Sequence, residues 1–337
     1  MKNYKLALKI IVATMLFAFS ALTTSVVAMD DVKSLTVVAG NGEAGFIDGK
    51  NARLNKPIRL APFGPGKILI ADISNNAIRV VSKDGSVATL AGGPDKKGVK
   101  DGLASDAMFD GPHGVAVSKD GVIAVAGASS HAVRLMIPFK NADGLTDYKV
   151  STIAGVAGET GMRNGAGEQA LFNSPHGLVW DNDGGLLVVD IGNGSIRRIK
   201  DGIVTTALGA GTENMAMPID IGTSPDGSFL IADAGNQTIL RWRLGDEEAK
   251  PVAMDGELNM PHGVSGDDGG VVYVAALSGH QIAKLSNGHL EIVAGTGEAG
   301  FASNMLNKPA AVLVHDGLLW IADLDNHRIS TFPLTQD

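Results

Sequence analysis

Three copies of one tripeptide, Pro112-His113-Gly114, Pro175-His176-Gly177 and Pro261-His262-Gly263, carry the side chains of this sequence best suited to chemistry. Imidazole is a strong ligand for transition metals. Three of them converging on one point could hold zinc or another divalent metal, with further positions left open to water or substrate. Such a centre would polarise a carbonyl or activate a water, as in a lyase or hydrolase. The alternative is structural, with each imidazole hydrogen-bonded to a neighbouring loop. Other chemistries lack their residues. The chain has no Cys, so no thiolate nucleophile and no disulfide is available. No Gly-x-Ser-x-Gly elbow is present, and Gly92-Gly93 is not followed by the Lys-Ser or Lys-Thr of a phosphate loop. Asp181-Asn182-Asp183-Gly184-Gly185 mimics part of a calcium loop but lacks its bidentate Glu, and reads as a hairpin turn.

What would bring the histidines together is a repeat. Six similar stretches begin at Pro57, Pro112, Pro175, Pro218, Pro261 and Pro309, roughly 43 to 63 residues apart. The first reads as four short strands: Ile58 to Pro62, Ile68 to Asp72, Ala77 to Val81 and Ser86 to Ala91, with Gly64-Pro65-Gly66, Ser74-Asn75-Asn76 and Asp84-Gly85 as turns. Apolar runs of about five residues bounded by Gly, Asp or Asn are strands, not helices. Asp-Gly and Asn-rich turns supply the positive φ that tight hairpins need. A period of this length belongs to propeller blades.

The sixth copy runs out after Ile329 and Phe332, one strand short, and an orphan strand, Leu35 to Ala39, stands near the start. The expectation is an all-β protein: a six-bladed β-propeller of four-stranded antiparallel blades, closed by an N-terminal strand completing the last blade. Such a clasp removes a sheet edge that would otherwise invite aggregation.

In that frame the residues after each repeat proline are Ile58, His113, His176, Ile219, His262 and Ala310, and they form a ring at the start of the innermost strands, around a tunnel mouth. Gly114, Gly177 and Gly263 leave room for backbone or solvent to approach. Arg59 and Asp220 stand one place further on, in blades one and four. A direct ion pair between them would have to span the tunnel, so local pairing is expected, with binding of a polar ligand as the alternative. Arg53 and Arg163 precede inner strands and could overhang the mouth, where either could grip a substrate carboxylate.

His131, His280 and His327 precede third strands and suit turn hydrogen bonding, while His289 and His315 fall in or beside hairpin turns. Most blades end their second strand in Asp, which suits an Asx-type brace of the next turn. Blades two and five have Gly127 and Ala276 there, either as drift or as openings for a ligand.

Residues 1–28 read as a signal peptide. Lys2, Lys5 and Lys9 precede a mostly apolar stretch, and Val26-Val27-Ala28 suits a peptidase; an uncleaved anchor is the competing reading. Residues 29–337 would then be a single propeller domain, periplasmic or secreted. Net charge is −8, and about −11 without those three lysines, which argues against nucleic acid as partner. A small molecule, peptide, glycan or partner protein remains.

The units resemble NHL repeats. The match is carried by Ile70-Ala71-Asp72 with Asn75 and Ile78, Val189-Asp190 with Asn193 and Ile196, Ile231-Ala232-Asp233 with Asn236 and Ile239, and Ile321-Ala322-Asp323 with Asn326 and Ile329. The Gly-rich loops 39–46 and 294–301 look like that family's connecting segment. The resemblance implies a binding module, a scaffold or, in some lineages, an enzyme. The Pro-His-Gly motifs are also similar to those of peptidyl-α-hydroxyglycine α-amidating lyase, a six-bladed propeller holding zinc through three histidines that follow prolines. In that lyase the histidines come from alternating blades; here they fall in blades two, three and five.

Overall fold

In the computed structural model the described residues are 34–209 and 215–334. The expected signal peptide lies outside them. Six antiparallel sheets each begin with a repeat proline. Blade one comprises Pro57–Pro62, Lys67–Asp72, Ala77–Ser82 and Val87–Gly92. The innermost strands of the next five are Pro112–Val117, Pro175–Trp180, Pro218–Thr223, Pro261–Gly266 and Pro309–His315. Blades two and three each carry an added two-residue outer strand, Gly102–Leu103 and Gly165–Ala166.

The closure expected from the orphan strand is present. Thr36–Ala39 pairs antiparallel with Arg328–Pro333, Thr36 opposite Thr331 and Val37 opposite Ser330, as the fourth strand of blade six. First and last strands thus share one sheet, and the ring has no free edge there.

Packing explains why the second strands are apolar on both faces between their ends. Successive side chains of a strand point to opposite faces. In blade one, Ile68 and Ile70 join Ala311 and Trp320 of blade six in one buried cluster. Leu69 and Ala71 join Val115, Ile123 and Val125 of blade two in another. Similar clusters lie between each further pair of neighbours, so every blade buries both faces.

A polar brace recurs inside the blades. Asp72, fully buried, accepts hydrogen bonds from the Asn55 amide at 2.7 Å, Asn75 Nδ2 at 2.7 Å and Arg79 Nη1 at 2.9 Å. Arg79 also lies over the Phe46 ring, 4.7 Å from its centroid. Blade three repeats the set with Asp190, Asn193, Arg197 and Phe172, and blade six with Asp323, Asn326, Arg328 and Phe301. The Asx-type bond expected from each Asp to a backbone N–H of the following turn is absent. Asp72, Asp190 and Asp323 instead hold an amide of the loop before the blade, the Asn side chain of the turn and a strand arginine. That arginine was missed. The recurring pairs Ile78-Arg79, Val133-Arg134 and Ile196-Arg197 would have revealed it.

Blade two keeps Arg134 over Phe109 but has Gly127 in place of the Asp. Ser130 Oγ occupies the space that a Cβ on Gly127 would need and donates to the Gly127 carbonyl at 3.2 Å. Gly127 and Ala276 are both buried, so neither position opens a path for a ligand.

Candidate functional site on the propeller axis

The pairing of first and second strands slips at the start of every blade, between Pro112 and Gly114, Pro175 and Leu178, Pro261 and Gly263, and likewise in the other three. The skipped position includes the residue after the proline. A bulge re-aims its side chain out of the regular alternation, and this is how His113, His176 and His262 come together. The His113 and His176 ring centroids are 3.7 Å apart, with planes 36° from parallel; those of His113 and His262, from opposite blades, are 5.9 Å apart. His113 and His262 are buried and His176 is half-buried, so the cluster does not rim an open mouth as expected.

Hydrogen bonds fix two tautomers. His262 Nδ1 lies 2.7 Å from the Ala310 carbonyl oxygen and His176 Nδ1 2.8 Å from that of Ser174. A carbonyl only accepts, so both Nδ1 atoms carry the proton and both Nε2 lone pairs are free. His113 Nδ1 is buried without a partner. Burial, reinforced by the Arg59 charge, holds His262 at about 3; burial, with a smaller push from Arg59, holds His176 at about 4. His113 is depressed well below the usual range, first by burial and then by His176. All three are neutral at pH 7.

Neutral imidazoles with Nδ1–H bonded to carbonyls have the chemistry of metal ligands. The arrangement differs from a ligand tripod, because His113 and His176 overlap ring on ring where ligands would aim nitrogens at one point. Among the described residues no group of three or more His, Cys, Asp or Glu is disposed to hold a metal ion.

One layer further along the inner strands lies an ion pair that corrects the expectation of local pairing. Arg59 Nη1 is 2.6 Å from Asp220 Oδ2, directly across the ring, and both side chains are buried. The distance can be spanned because the other blades place Gly114, Gly177, Gly263 and Ala311 in this layer. A Cβ on Gly177 would lie 2.6 Å from Asp220 Oδ1, and one on Gly263 2.6 Å from the Ala311 Cα. These glycines admit a neighbouring blade, not a ligand. Asp220 Oδ2 also accepts from the Val264 amide at 3.1 Å, and Arg59 Nη1 donates to the His262 carbonyl at 3.3 Å. Burial pushes the Asp220 carboxyl up and the Arg59 guanidinium down, and their attraction opposes both shifts.

Beyond this pair, away from the histidines, the axis widens into a cavity of about 550 Å³ walled by residues of all six inner strands. Arg59 and Asp220 lie in its wall nearest the histidines; Leu60, Val115, Leu178, Val264 and Val312 line its sides. Lys119, Asp120 and Asp181, from the first turns of blades two and three, reach its far end. Asp181 accepts from the Asp183 and Gly185 amides, the hairpin turn expected there, and pairs with Arg198 at 2.6 Å. None of the three histidines lines this cavity.

Arg53 and Arg163 do not line it either. Arg53 pairs with Glu43 at 2.6 Å, and Arg163 Nε donates to the Gln169 carbonyl; both sit in the loops before their blades. The turn histidines bond to the next blade and not within their own turns as expected. Nδ1 of His131, His280 and His327 accepts the backbone N–H of Ser174, Lys308 and Lys56, each just before the next blade's proline. His327 thereby ties blade six to blade one. His289 is exposed and pairs with Asp255 at 2.7 Å.

No family model matches the chain. It is 27% identical to human NHL repeat-containing protein 2 over 334 residues, covering 80% of this chain and 45% of that protein. The chain therefore spans less than half the length of the curated relatives it matches. Its structure superposes on an auxiliary nutrient binding protein from Bacteroides thetaiotaomicron with a TM-score of 0.64 at 13% identity, covering 88% of this chain and 75% of that one. A streptogramin B lyase gives a TM-score of 0.56 at 14% identity, covering 84% and 95%. At such identities the likeness is one of fold. With six four-stranded blades closed by a clasp, the chain is a six-bladed β-propeller, and its repeated Asp–Asn turns make it similar to the NHL-repeat proteins.

Proposed function

We propose that the protein is an exported binding module that holds a small-molecule ligand in its axial cavity. One observation carries this reading: the cavity of about 550 Å³, walled by residues of all six inner strands. That volume is within the range of small-molecule sites, and mixed apolar walls with a few polar groups are their usual lining. The nutrient-binding protein of the same fold accords with it. A peptide, glycan or partner protein would engage the same end of the ring through the turns at its rim. Export rests on the leader over 1–28, which agrees with a Cys-free mature chain held by packing and closure.

The test is a thermal-shift screen of sugars, short peptides, organic acids and nucleosides against wild type and Thr223→Trp. Thr223 is an exposed residue of the cavity wall, so the indole fills the opening without entering the core. Saturable stabilisation of wild type that Thr223→Trp abolishes is expected. Binding that survives the plug would place the ligand elsewhere.

A second reading, a metal-dependent lyase or hydrolase at the histidine cluster, keeps one supporting observation: the Nδ1–H bonds of His176 and His262, which leave both Nε2 atoms free. A bound metal would supply Lewis acidity there. Metal content of wild type and His176→Ala after loading with zinc decides it; a stoichiometric ion lost in the variant is the outcome this reading needs.

A further inference from the structure

Five arginine side chains are buried among the described residues, and four of them are fully engaged at their terminal nitrogens. Arg79, Arg134, Arg197 and Arg328 each use both Nη1 and Nη2 on carbonyl or carboxyl(ate) and amide oxygens. Arg59 is the exception. Nη1 holds Asp220 and the His262 carbonyl. Nε is buried without a partner, as it is in Arg79, Arg134 and Arg197, but in Arg59 alone of the five Nη2 is buried without a partner as well. Nε–H and the adjacent Nη2–H lie on one edge of the guanidinium, the fork that takes a carboxylate bidentately. A buried donor left unmade costs on the order of 1–3 kcal/mol, so this edge is an expensive feature for a fold to carry without use.

Arg59 is also the one of the five that lines the axial cavity. A second donor of the same wall, Trp180 Nε1, is likewise buried and unpartnered. Both demands are for an acceptor. The rest of the wall limits which one. Asp120, Asp181 and Asp220 face the same space, with Lys119 beside them. That balance disfavours a dianion and tolerates a single negative charge. Leu60, Val115, Leu178, Val264 and Val312 offer apolar surface to the remainder of the molecule.

We infer that the cavity takes a small monocarboxylate with an apolar body, its carboxylate on the Nε–Nη2 edge of Arg59 and in reach of the Trp180 indole N–H. The inference rests on the axial cavity being the binding site and names the class of ligand.

Calorimetric titration of the mature chain with hexanoate, benzoate, 3-phenylpropionate and indole-3-acetate tests it, alongside the corresponding primary amides and phenyl phosphate. At least one acid should bind saturably, with its amide and phenyl phosphate tenfold or more weaker. Arg59→Lys, which keeps the charge facing Asp220 but loses the fork, should weaken the acid at least tenfold. Trp180→Phe, which removes one donor and little volume, should weaken it several-fold and serves if Arg59→Lys does not fold. Equal binding of acid and amide would overturn the inference and leave the binding-module reading intact. Tighter binding of phenyl phosphate, an unchanged affinity in both variants, or no saturable binding of any acid would each overturn it too.

Discussion

The axis and the blade junctions use the same side chain in opposite ways. On the axis, His176 and His262 donate through Nδ1 to carbonyls and are held neutral by burial and by Arg59. At the junctions, His131, His280 and His327 accept through Nδ1 from backbone amides, on more exposed ground. The partner, not the residue type, sets which nitrogen carries the proton and what the imidazole can do. The axial set is a desolvated layer next to an ion pair, where errors are costly. The junction set is one brace among several between neighbouring blades.

Removing one member of the axial ion pair should have the largest effect. Asp220→Ala leaves the Arg59 charge buried and unpaired, and should cost about 3–5 kcal/mol of unfolding free energy in urea titration. The double variant Arg59→Met with Asp220→Leu should recover much of that loss, because no charge is then stranded. Filling the space beside the pair comes next. Gly177→Ala puts a Cβ against Asp220 and should cost roughly 1–3 kcal/mol, as overpacking does; a wild-type midpoint would mean that the layer is looser than its distances imply.

Acid should act on the axial set. The unfolded chain protonates its histidines near pH 6.5, whereas folded His176 and His262 resist until about 4 and about 3. The folded pKa values are depressed, so the unfolded state binds more protons between those limits. Stability therefore falls as pH drops below 6.5, by about 1.4 kcal/mol per pH unit for each such imidazole. His176→Gln should flatten the slope, read from urea midpoints between pH 4 and 6.5; a slope equal to that of wild type would mean that His176 is not held neutral by the fold. The smallest change expected is at the junction itself. His327→Ala removes the bond to the Lys56 amide and should cost about 0.5–1.5 kcal/mol, read as a small shift in thermal midpoint.

Much of this was legible from spacing. The six prolines, the second strands ending in Asp and the orphan strand at residue 35 led to six blades and a clasp. His131, His280 and His327 were legible as turn residues because each stands two places before the Ile or Val of a third strand. Their partners, 43, 28 and 271 residues away on the next blade, were not. The Arg–Phe–Asp stacks are harder to read, since Arg79 and Arg197 sit within otherwise apolar strands and their phenylalanines come from the loop before the blade. The route across the axis was hidden for another reason. Arg59 and Asp220 are far apart in sequence, and whether they meet depends on the radius of the ring.

The sequence by itself determined a closed ring of six blades and which residues share its innermost layers, because a repeated pattern fixes equivalent positions whatever the dimensions. The tertiary structure alone decided that Arg59 reaches Asp220, that the imidazoles stack, and that the cavity lies on the far side of the pair. Gly114, Gly177, Gly263 and Ala311 let the inner strands approach closely, and contact across an axis is a matter of ångströms that no periodicity records.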